Sequence, residues 1–442
     1  MSQINHGELF TRKRSRMEQL RDWLGERLLL QKLNNPLGMA LLLLATLPVS
    51  YALATLDIKL SLIVFLALIG FPMVVLSLFN LTFAIGLMLL IALMVPFGAK
   101  FTTAPIGTLL DLLILICVVG ILLRQIKERD WSFAKFPLSY MILIWLYYNI
   151  MQVLNPEAES KMAWLYTVRS VAIQQTVFFI GAYAFRNHRR GIMWSLKLII
   201  GICFASALYG LKQQFVGFSA AETTWIMADQ ERFELYYQWG MMRIPSFCFD
   251  PTTFGILMAC FSIFCIALLV GPTKKQQKVL LALMAISALW VMAYTGTRTA
   301  FALVPVGAIF FCGLILNKRV LLIAGIFAVL GTGFILKSSS SGVIFRIQSA
   351  FKPSQDDSMN LRLANQKKIQ PYIQSHPMGG GLGSCGMWGK RFNPDSELSK
   401  FPHDSSFVRM AVELGWIGLI LYTLLHYFVL RTGLYYFVRC RD

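Results

Sequence analysis

The chain has 442 residues, of which 56% are hydrophobic and 14% are charged, and its mean hydropathy is +0.60. So many uninterrupted apolar runs exclude an ordinary soluble domain, and the runs are too long and too solidly apolar to be strands of a membrane barrel. The net charge of +19 could indicate a nucleic-acid-binding protein, but the positive charges alternate in phase with the apolar runs, which a nucleic-acid surface does not require.

The apolar runs predict an all-α fold, a polytopic membrane bundle of about twelve transmembrane helices. Each run suits one span, although a few are shorter than the roughly 18 residues expected of a span and need flanking residues to complete them. The runs are Leu37–Ala54, Leu60–Phe79, Phe83–Pro96, Ile106–Leu123, Met141–Leu154, Val171–Phe185, Leu198–Phe215, Phe254–Val270, Val279–Tyr294, Ala300–Leu316, Val320–Leu336 and Leu414–Leu430.

Basic residues precede the first span and follow the even-numbered spans, for example from Arg124 to Lys135 after the fourth and from Arg186 to Arg190 after the sixth. This distribution is the positive-inside pattern, and it predicts that both termini are cytoplasmic. We expect residues 1–35 to be a basic cytoplasmic leader, either an interfacial helix or a plain basic flank, without a cleavable signal peptide.

The predicted topology divides the rest of the chain into three parts. Residues 36–336 hold the first eleven spans with an outer loop at 217–245, residues 337–407 form a large outer loop, and residues 408–442 hold the last span and a cytoplasmic tail. The spacing of apolar residues predicts a helix over Asn360–Gln374, which Pro371 would bend or begin to end. Because long loops in compact folds are usually functional, we expect the site on the non-cytoplasmic face.

Several familiar kinds of site lack their motif. The stretch Gly379–Gly383 lacks the Gly-Lys-Ser/Thr ending of a phosphate loop, and is therefore either a tight turn beside a ligand or a plain loop. The five histidines are scattered without metal-binding spacing, and no Gly-x-Ser-x-Gly elbow occurs. Cys248 and Cys385 could pair on the outer side, but two free thiols are the default expectation. Asp250 before Pro251 is expected to cap a helix.

Four arginines on the predicted outer side are the best candidates for binding. Arg169, Arg243 and Arg298 lie at span ends, and Arg362 lies on the predicted loop helix. A guanidinium fork suits phosphate oxygens, and several arginines at one depth would neutralise a pyrophosphate. The alternative is that each arginine only reaches lipid headgroups. That alternative explains Arg298 least well, because Lys would serve equally in its very short turn.

His403 stands next to Asp404, just before the last span. A histidine with a pKa near neutrality can take a proton from a hydroxyl, and Asp404 could orient it. The alternative is an ordinary surface histidine. The place of His403 at the membrane edge, after the arginines, makes the catalytic interpretation more favourable than it is for a lone histidine in a loop.

Six further motifs occur in a defined order. They are Tyr209-Gly210-Leu211-Lys212-Gln213-Gln214, Arg243-Ile244-Pro245-Ser246 with Asp250-Pro251, Thr295-Gly296-Thr297-Arg298-Thr299-Ala300, Pro377-Met378-Gly379-Gly380-Gly381-Leu382-Gly383, Pro402-His403-Asp404-Ser405, and Glu413-Leu414-Gly415-Trp416-Ile417-Gly418. Together they resemble the O-antigen ligase and polysaccharide polymerase superfamily. The resemblance covers about Arg169 to Leu430, and the first spans agree only in being hydrophobic.

The resemblance implies a metal-independent, cofactor-free glycosyltransferase of the integral-membrane C-type architecture, in the bacterial inner membrane with a periplasmic active site. It implies that a glycan passes from undecaprenyl pyrophosphate to an acceptor hydroxyl, on lipid A-core or another glycan, with inversion at the anomeric carbon. Its partners would be this donor, the acceptor and membrane lipids, and not nucleic acid.

The same resemblance implies roles for individual residues. Arg243 and Arg298 would hold the pyrophosphate, with Arg169 and Arg362 as weaker candidates. His403 would be the general base or would position the acceptor. Many members carry Asn where this chain has Asp404, which leaves open whether Asp404 supports His403 and which acceptor docks there.

Two kinds of alternative stay open. An O-antigen polymerase or a protein O-oligosaccharyltransferase would use the same donor and differ in its acceptor. A transporter or flippase for a lipid-linked glycan would also have about twelve spans, but carriers place their sites near the membrane midplane. This chain has few charges at mid-span and large loops on one side only, which favours the enzyme.

Overall fold

A computed structural model describes residues 72–101, 107–186, 188–238, 240–316, 357–402 and 405–440, together with the isolated positions Thr46, Leu47, Ser50, Tyr51, Ala54, Thr55, Gly70, Gly325 and Gln348. The chain divides into two compact units, Met1–Leu76 and Ser77–Asp442. Within the first unit, the described residues are helical. The second unit holds the elements below.

The second unit is almost entirely helical. Its α-helices, in chain order, are α1 Leu81–Gly98, α2 Gly107–Glu128, α3 Pro137–Met151, α4 Lys161–Val171, α5 Val177–Phe185, α6 Arg189–Phe215, α7 Ala220–Met227, α8 Gln230–Tyr236, α9 Pro251–Val270, α10 Lys275–Tyr294, α11 Arg298–Ile315, α12 Asp357–Ser375, α13 Gly386–Phe392, α14 Glu397–Lys400 and α15 Ser406–Arg439. Short 3₁₀ segments lie at Ser132–Ala134, Gln152–Leu154 and Ile173–Thr176. Strands β1 Tyr237–Gln238 and β2 Met241–Met242 form one antiparallel hairpin, with Tyr237 opposite Met242.

Eight helices within the described residues are long and apolar enough to cross a membrane. They are α1, α2, α3 with the 3₁₀ turn that follows it, α6, α9, α10, α11 and α15, and they match eight of the predicted spans. The fold is therefore an all-α polytopic bundle, although the count of twelve is not confirmed. The predicted spans Leu37–Ala54 and Val320–Leu336 lie outside the described residues except for isolated positions, and Leu60–Phe79 is described only in part.

The sixth predicted span, Val171–Phe185, is not one helix. Helix α4 ends at Val171, a 3₁₀ turn follows, and α5 begins at Val177. The break has a local cause, because the indole Nε1 of Trp145 donates to the carbonyl oxygen of Val171 over 3.0 Å. The hydroxyl of Thr176 in turn donates to the carbonyl of Ile173 over 2.6 Å. Side chains thus take two carbonyl oxygens at the break.

Three apolar cores hold the bundle together. One joins α6, α9, α10 and α11 around Phe254, Met258 and Val291. A second joins α1, α2 and α5 around Ile114 and Ile180, and a third joins α3, α4 and α15 around Trp145. Because lipid tails are as apolar as these side chains, close van der Waals packing rather than removal from water holds the helices together. This packing fixes the helix ends from which the site is built.

Candidate active site

Arg243 lies just after β2 and its side chain is only 5% exposed. Five protein oxygens accept hydrogen bonds from its guanidinium, as many as the N–H groups that a guanidinium carries. They are the Thr295 carbonyl at 2.7 Å from Nε, the Leu235 carbonyl at 3.1 Å and Gln238 Oε1 at 3.2 Å from Nη1, and the hydroxyls of Thr297 at 3.3 Å and Thr252 at 3.4 Å from Nη2. Arg243 therefore ties the segment between α8 and α9 to the turn between α10 and α11.

That turn is the motif Thr295–Arg298. The Thr295 hydroxyl donates to the carbonyl of Met292 over 2.7 Å, and the Thr297 hydroxyl donates to the carbonyl of Pro251 over 3.1 Å. A Cβ on Gly255 would lie 2.6 Å from the Thr295 hydroxyl, so only glycine lets α9 approach so closely. The turn is buried and bonded on several sides, and it has one defined shape.

Arg298 is the first residue of α11 and is partly exposed. The start of a helix carries partial positive charge, so a cation there is unfavourable for helix stability. An anion at the same place meets both the helix end and the guanidinium. An anion bound there would therefore meet two sources of positive charge.

Asp250 caps α9, as expected. Its carboxylate accepts from the backbone N–H of Thr253 over 2.8 Å and from the Thr253 hydroxyl over 2.5 Å. Pro251 occupies the first turn, where its missing N–H is harmless.

Ser246 ends the Arg243 motif in a strained backbone conformation, with φ of +50°. Three groups from residues that are distant in the chain hold Ser246 in this conformation. Its N–H donates to Gln213 Oε1 over 2.8 Å, its hydroxyl donates to the Ser206 carbonyl over 2.5 Å, and its carbonyl accepts from Lys100 Nζ over 2.7 Å. Strain of this kind, of order 1–3 kcal/mol, persists only where the surroundings determine the conformation, and it is common near functional sites.

Lys100 follows α1 and is 5% exposed. Burial lowers its pKa from 10.5 to about 8, and the neighbouring Glu222, Cys248 and Asp250 act in the opposite direction. Glu222 is itself buried and accepts from Gln213 Nε2 over 2.7 Å. Lys100 and Glu222 therefore form the two ends of a buried polar network that passes through Gln213 and Ser246.

The glycine-rich stretch Gly379–Gly383 is a buried turn against α15. Gly380 N–H donates to the Val412 carbonyl over 2.9 Å, and Trp416 N–H donates to the Pro377 carbonyl over 2.9 Å. Helix α15 is kinked there, since Gly415 has φ of +65° and ψ of −162°. Gly379 brings backbone close to Glu413 and Gly415 of α15, whereas Gly383 approaches the Ala163 carbonyl of α4.

The sequence analysis missed Arg409, in the first turns of α15. Its Nε lies 2.9 Å from Oε1 of Glu413, which is fully buried and also accepts from the Cys385 N–H over 3.3 Å. The available signal was an opposite-charge pair four residues apart in an otherwise apolar helix. Arg409 thus places a guanidinium on α15, the helix that follows His403 and Asp404 in the chain.

The remaining candidates fall in different places. Arg169 lies in the last turn of α4, not at the start of a span, and pairs with Asp111 of α2 over 3.3 Å. Arg362 is exposed on α12, which confirms the predicted loop helix. His403 and Asp404 lie outside the described residues. The structure thus joins Arg243 to the turn that carries Arg298.

Cys248 and Cys385 are both buried free thiols, which agrees with the expectation of two free thiols. Among the residues that the structure describes, no group of three or more His, Cys, Asp or Glu side chains is placed to hold a metal ion.

A family model described as O-antigen ligase matches residues 282–423, about a third of the chain. No curated protein and no solved structure matches the chain. The matched segment contains the Arg298 turn, the glycine-rich turn, the His403 motif and the start of α15 through its kink at Gly415. Through this segment, the chain is similar to the O-antigen ligase family.

Proposed function

We propose that the protein transfers a glycan from undecaprenyl pyrophosphate to an acceptor hydroxyl on the periplasmic face of the bacterial inner membrane, in the manner of an O-antigen ligase. The observation that carries the proposal is the Arg298 turn. Arg243 fixes this turn through Thr295 and Thr297, so Arg298 starts α11 in a defined place within the matched segment.

The proposed step is an inverting displacement. The acceptor oxygen attacks the anomeric carbon, the bond from that carbon to the pyrophosphate oxygen breaks, and undecaprenyl pyrophosphate leaves with the electron pair. His403 takes the proton of the acceptor hydroxyl, with Asp404 beside it in the chain. A positioned base of this kind contributes about 10²–10⁴-fold.

Arg298 has the main electrostatic role in this proposal. Negative charge develops on the leaving pyrophosphate, and a preorganised guanidinium at a helix start stabilises it without a metal ion. The bond energy is already stored in the donor linkage, so the step needs no nucleotide or other cofactor.

Arg243 supports the site by holding the turn. A direct hold on the diphosphate by Arg243 stays a prediction, because the donor would have to replace some of its five protein oxygens. Arg169 and Arg362 stay weaker candidates for the same anion. The ion pair of Arg169 with Asp111 offsets part of its charge.

Reconstitution of the purified protein with a lipid-linked glycan and a candidate acceptor tests the proposal. Arg298→Ala is expected to abolish transfer, and Arg298→Lys to restore little of it, since an ammonium cannot form a fork to two phosphate oxygens. Arg431→Ala, on an exposed arginine near the end of α15, is the matched control. Full transfer by Arg298→Ala would remove the proposed role.

The acceptor is tested by deletion of the gene in the host. Loss of long-chain lipopolysaccharide with accumulation of the lipid-linked glycan indicates ligation, whereas products limited to one repeat indicate polymerisation. A defect confined to glycoproteins indicates protein modification. Transport of the lipid-linked glycan in proteoliposomes without covalent transfer would instead support the carrier alternative.

A further inference from the structure

A cavity of about 420 Å³ lies at the end of the bundle opposite to Arg298. It opens where α1 begins and where α2 and α5 end, whereas Lys100 and the Arg243 network lie beyond the far end of α1. Its polar lining residues are Asn80, Thr82, Arg124, Glu128, Tyr183, Arg186 and His188. The volume falls in the range of small-molecule sites, about 300–1,000 Å³.

Two arginines in the lining are held in place. Arg124 Nη2 donates to the carbonyls of Leu78 and Phe79, the latter over 3.2 Å. Arg186 Nη1 donates to Asp130 Oδ2 over 2.7 Å and to the Ser132 hydroxyl over 3.2 Å. Each guanidinium is thus oriented through one nitrogen, which reduces the entropy lost when a ligand binds.

The surroundings of the cavity are strongly basic. Four exposed cations follow the lining residues in the chain, and they are Lys127, Arg129, Arg189 and Arg190. The acidic groups nearby are Glu128, which accepts from the Tyr183 hydroxyl over 2.9 Å, and Asp130. Positive charge therefore exceeds negative charge at the cavity mouth, and the N-terminal end of α1 adds partial positive charge.

We propose that this cavity binds the phosphate group of an anionic phospholipid headgroup. Arginine forks suit phosphodiester oxygens, and basic pockets between helices at a membrane surface bind such headgroups. Phe79 and Leu81, which also line the cavity, offer apolar contact for the glycerol and acyl parts of the lipid. The site is separate from the proposed transfer reaction and does not depend on it.

The test uses the full chain purified in detergent, with lipid binding followed by native mass spectrometry and by the shift in melting temperature. Phosphatidylglycerol is expected to bind saturably and to raise the melting temperature by several degrees, because a ligand that binds the folded state stabilises it. Phosphatidylcholine and inorganic phosphate are expected to give much smaller shifts. An equal shift with inorganic phosphate would show that the cavity takes free phosphate and would overturn the lipid proposal.

Two variants separate ligand contact from the local ion pair. Arg186→Gln removes a cation and is expected to weaken phosphatidylglycerol binding about tenfold, whereas Asp130→Asn breaks the same ion pair but is expected to leave binding unchanged or tighter. Arg431→Gln, on an exposed arginine near the end of α15, is the control. Wild-type lipid binding by Arg186→Gln, or equal loss in both ion-pair variants, would overturn the proposal.

Discussion

Arg243 Nε donates to the carbonyl oxygen of Thr295 over 2.7 Å, although 52 positions separate the two residues in the chain. This bond and the contact of Arg243 with the Thr297 hydroxyl join two sequence motifs into one structural unit. The shape of the Arg298 turn consequently depends on a residue that precedes α9.

Replacement of Arg243 by Gln is expected to lower both stability and transfer. Several buried oxygens would lose their donor, and each buried unsatisfied group costs about 1–3 kcal/mol. Melting temperature and transfer rate are to be measured together, the latter below the melting transition.

Arg431→Gln is the control for that experiment, because Arg431 is exposed near the end of α15. Substitutions of exposed residues usually change stability by less than about 0.5 kcal/mol, so this variant is expected to be close to wild type. Equal effects of the two substitutions on melting temperature and transfer would contradict the role assigned to Arg243.

Burial of Lys100 predicts a stability that rises with pH. Its pKa is lowered from 10.5 to about 8, so the folded state binds fewer protons than the unfolded state between these values. The free energy of unfolding is therefore expected to increase between about pH 8 and pH 10.5, by up to roughly 3 kcal/mol.

Melting temperatures at pH 7.5 and pH 10 test this expectation in the wild type and in Lys100→Met. The variant lacks the titrating group and should lose this component of the pH dependence, while other groups that titrate in the same range contribute equally to both proteins. Indistinguishable pH profiles would show that the Lys100 ammonium is hydrated in the folded protein.

Substitution by alanine is expected to have opposite effects on stability at two glycines of α15. Gly415 has φ of +65°, and a Cβ there would lie 1.9 Å from the Pro377 carbonyl oxygen, so Gly415→Ala is expected to destabilise the protein by several kcal/mol or to disrupt folding. A Cβ at Gly433 meets no atom within 4 Å, and Gly433→Ala is expected to stabilise the helix by roughly 0.5–1 kcal/mol. Melting temperatures of the two variants check the signs, and a harmless Gly415→Ala would contradict the close approach.

Much of the fold could be predicted from apolar runs, because a helix in lipid must satisfy its backbone internally and needs an apolar surface. Eight predicted spans match helices of the structure. The break after Val171 could not be predicted in this way, since it depends on a hydrogen bond from Trp145. Hydropathy records the lipid exposure of a segment but not the contacts of its carbonyl groups.

The site was predicted less completely, and for a related reason. The motifs identified Arg243 and Arg298, but the partners of Arg243 come from three separate stretches of chain and are neutral oxygens without a sequence signature. The buried Lys100 was missed because an isolated lysine after a span resembles any flanking cation. Its bond to the strained Ser246 depends on tertiary packing alone.

The central claim is that Arg298, in the turn that Arg243 holds in place, binds the diphosphate of a lipid-linked glycan donor. The most direct measurement is the affinity of the purified protein for undecaprenyl pyrophosphate, compared between wild type, Arg298→Ala and Arg431→Ala. We expect the Arg298 variant to bind at least about tenfold more weakly and the Arg431 variant to match wild type. Equal affinity in all three proteins would contradict the claim.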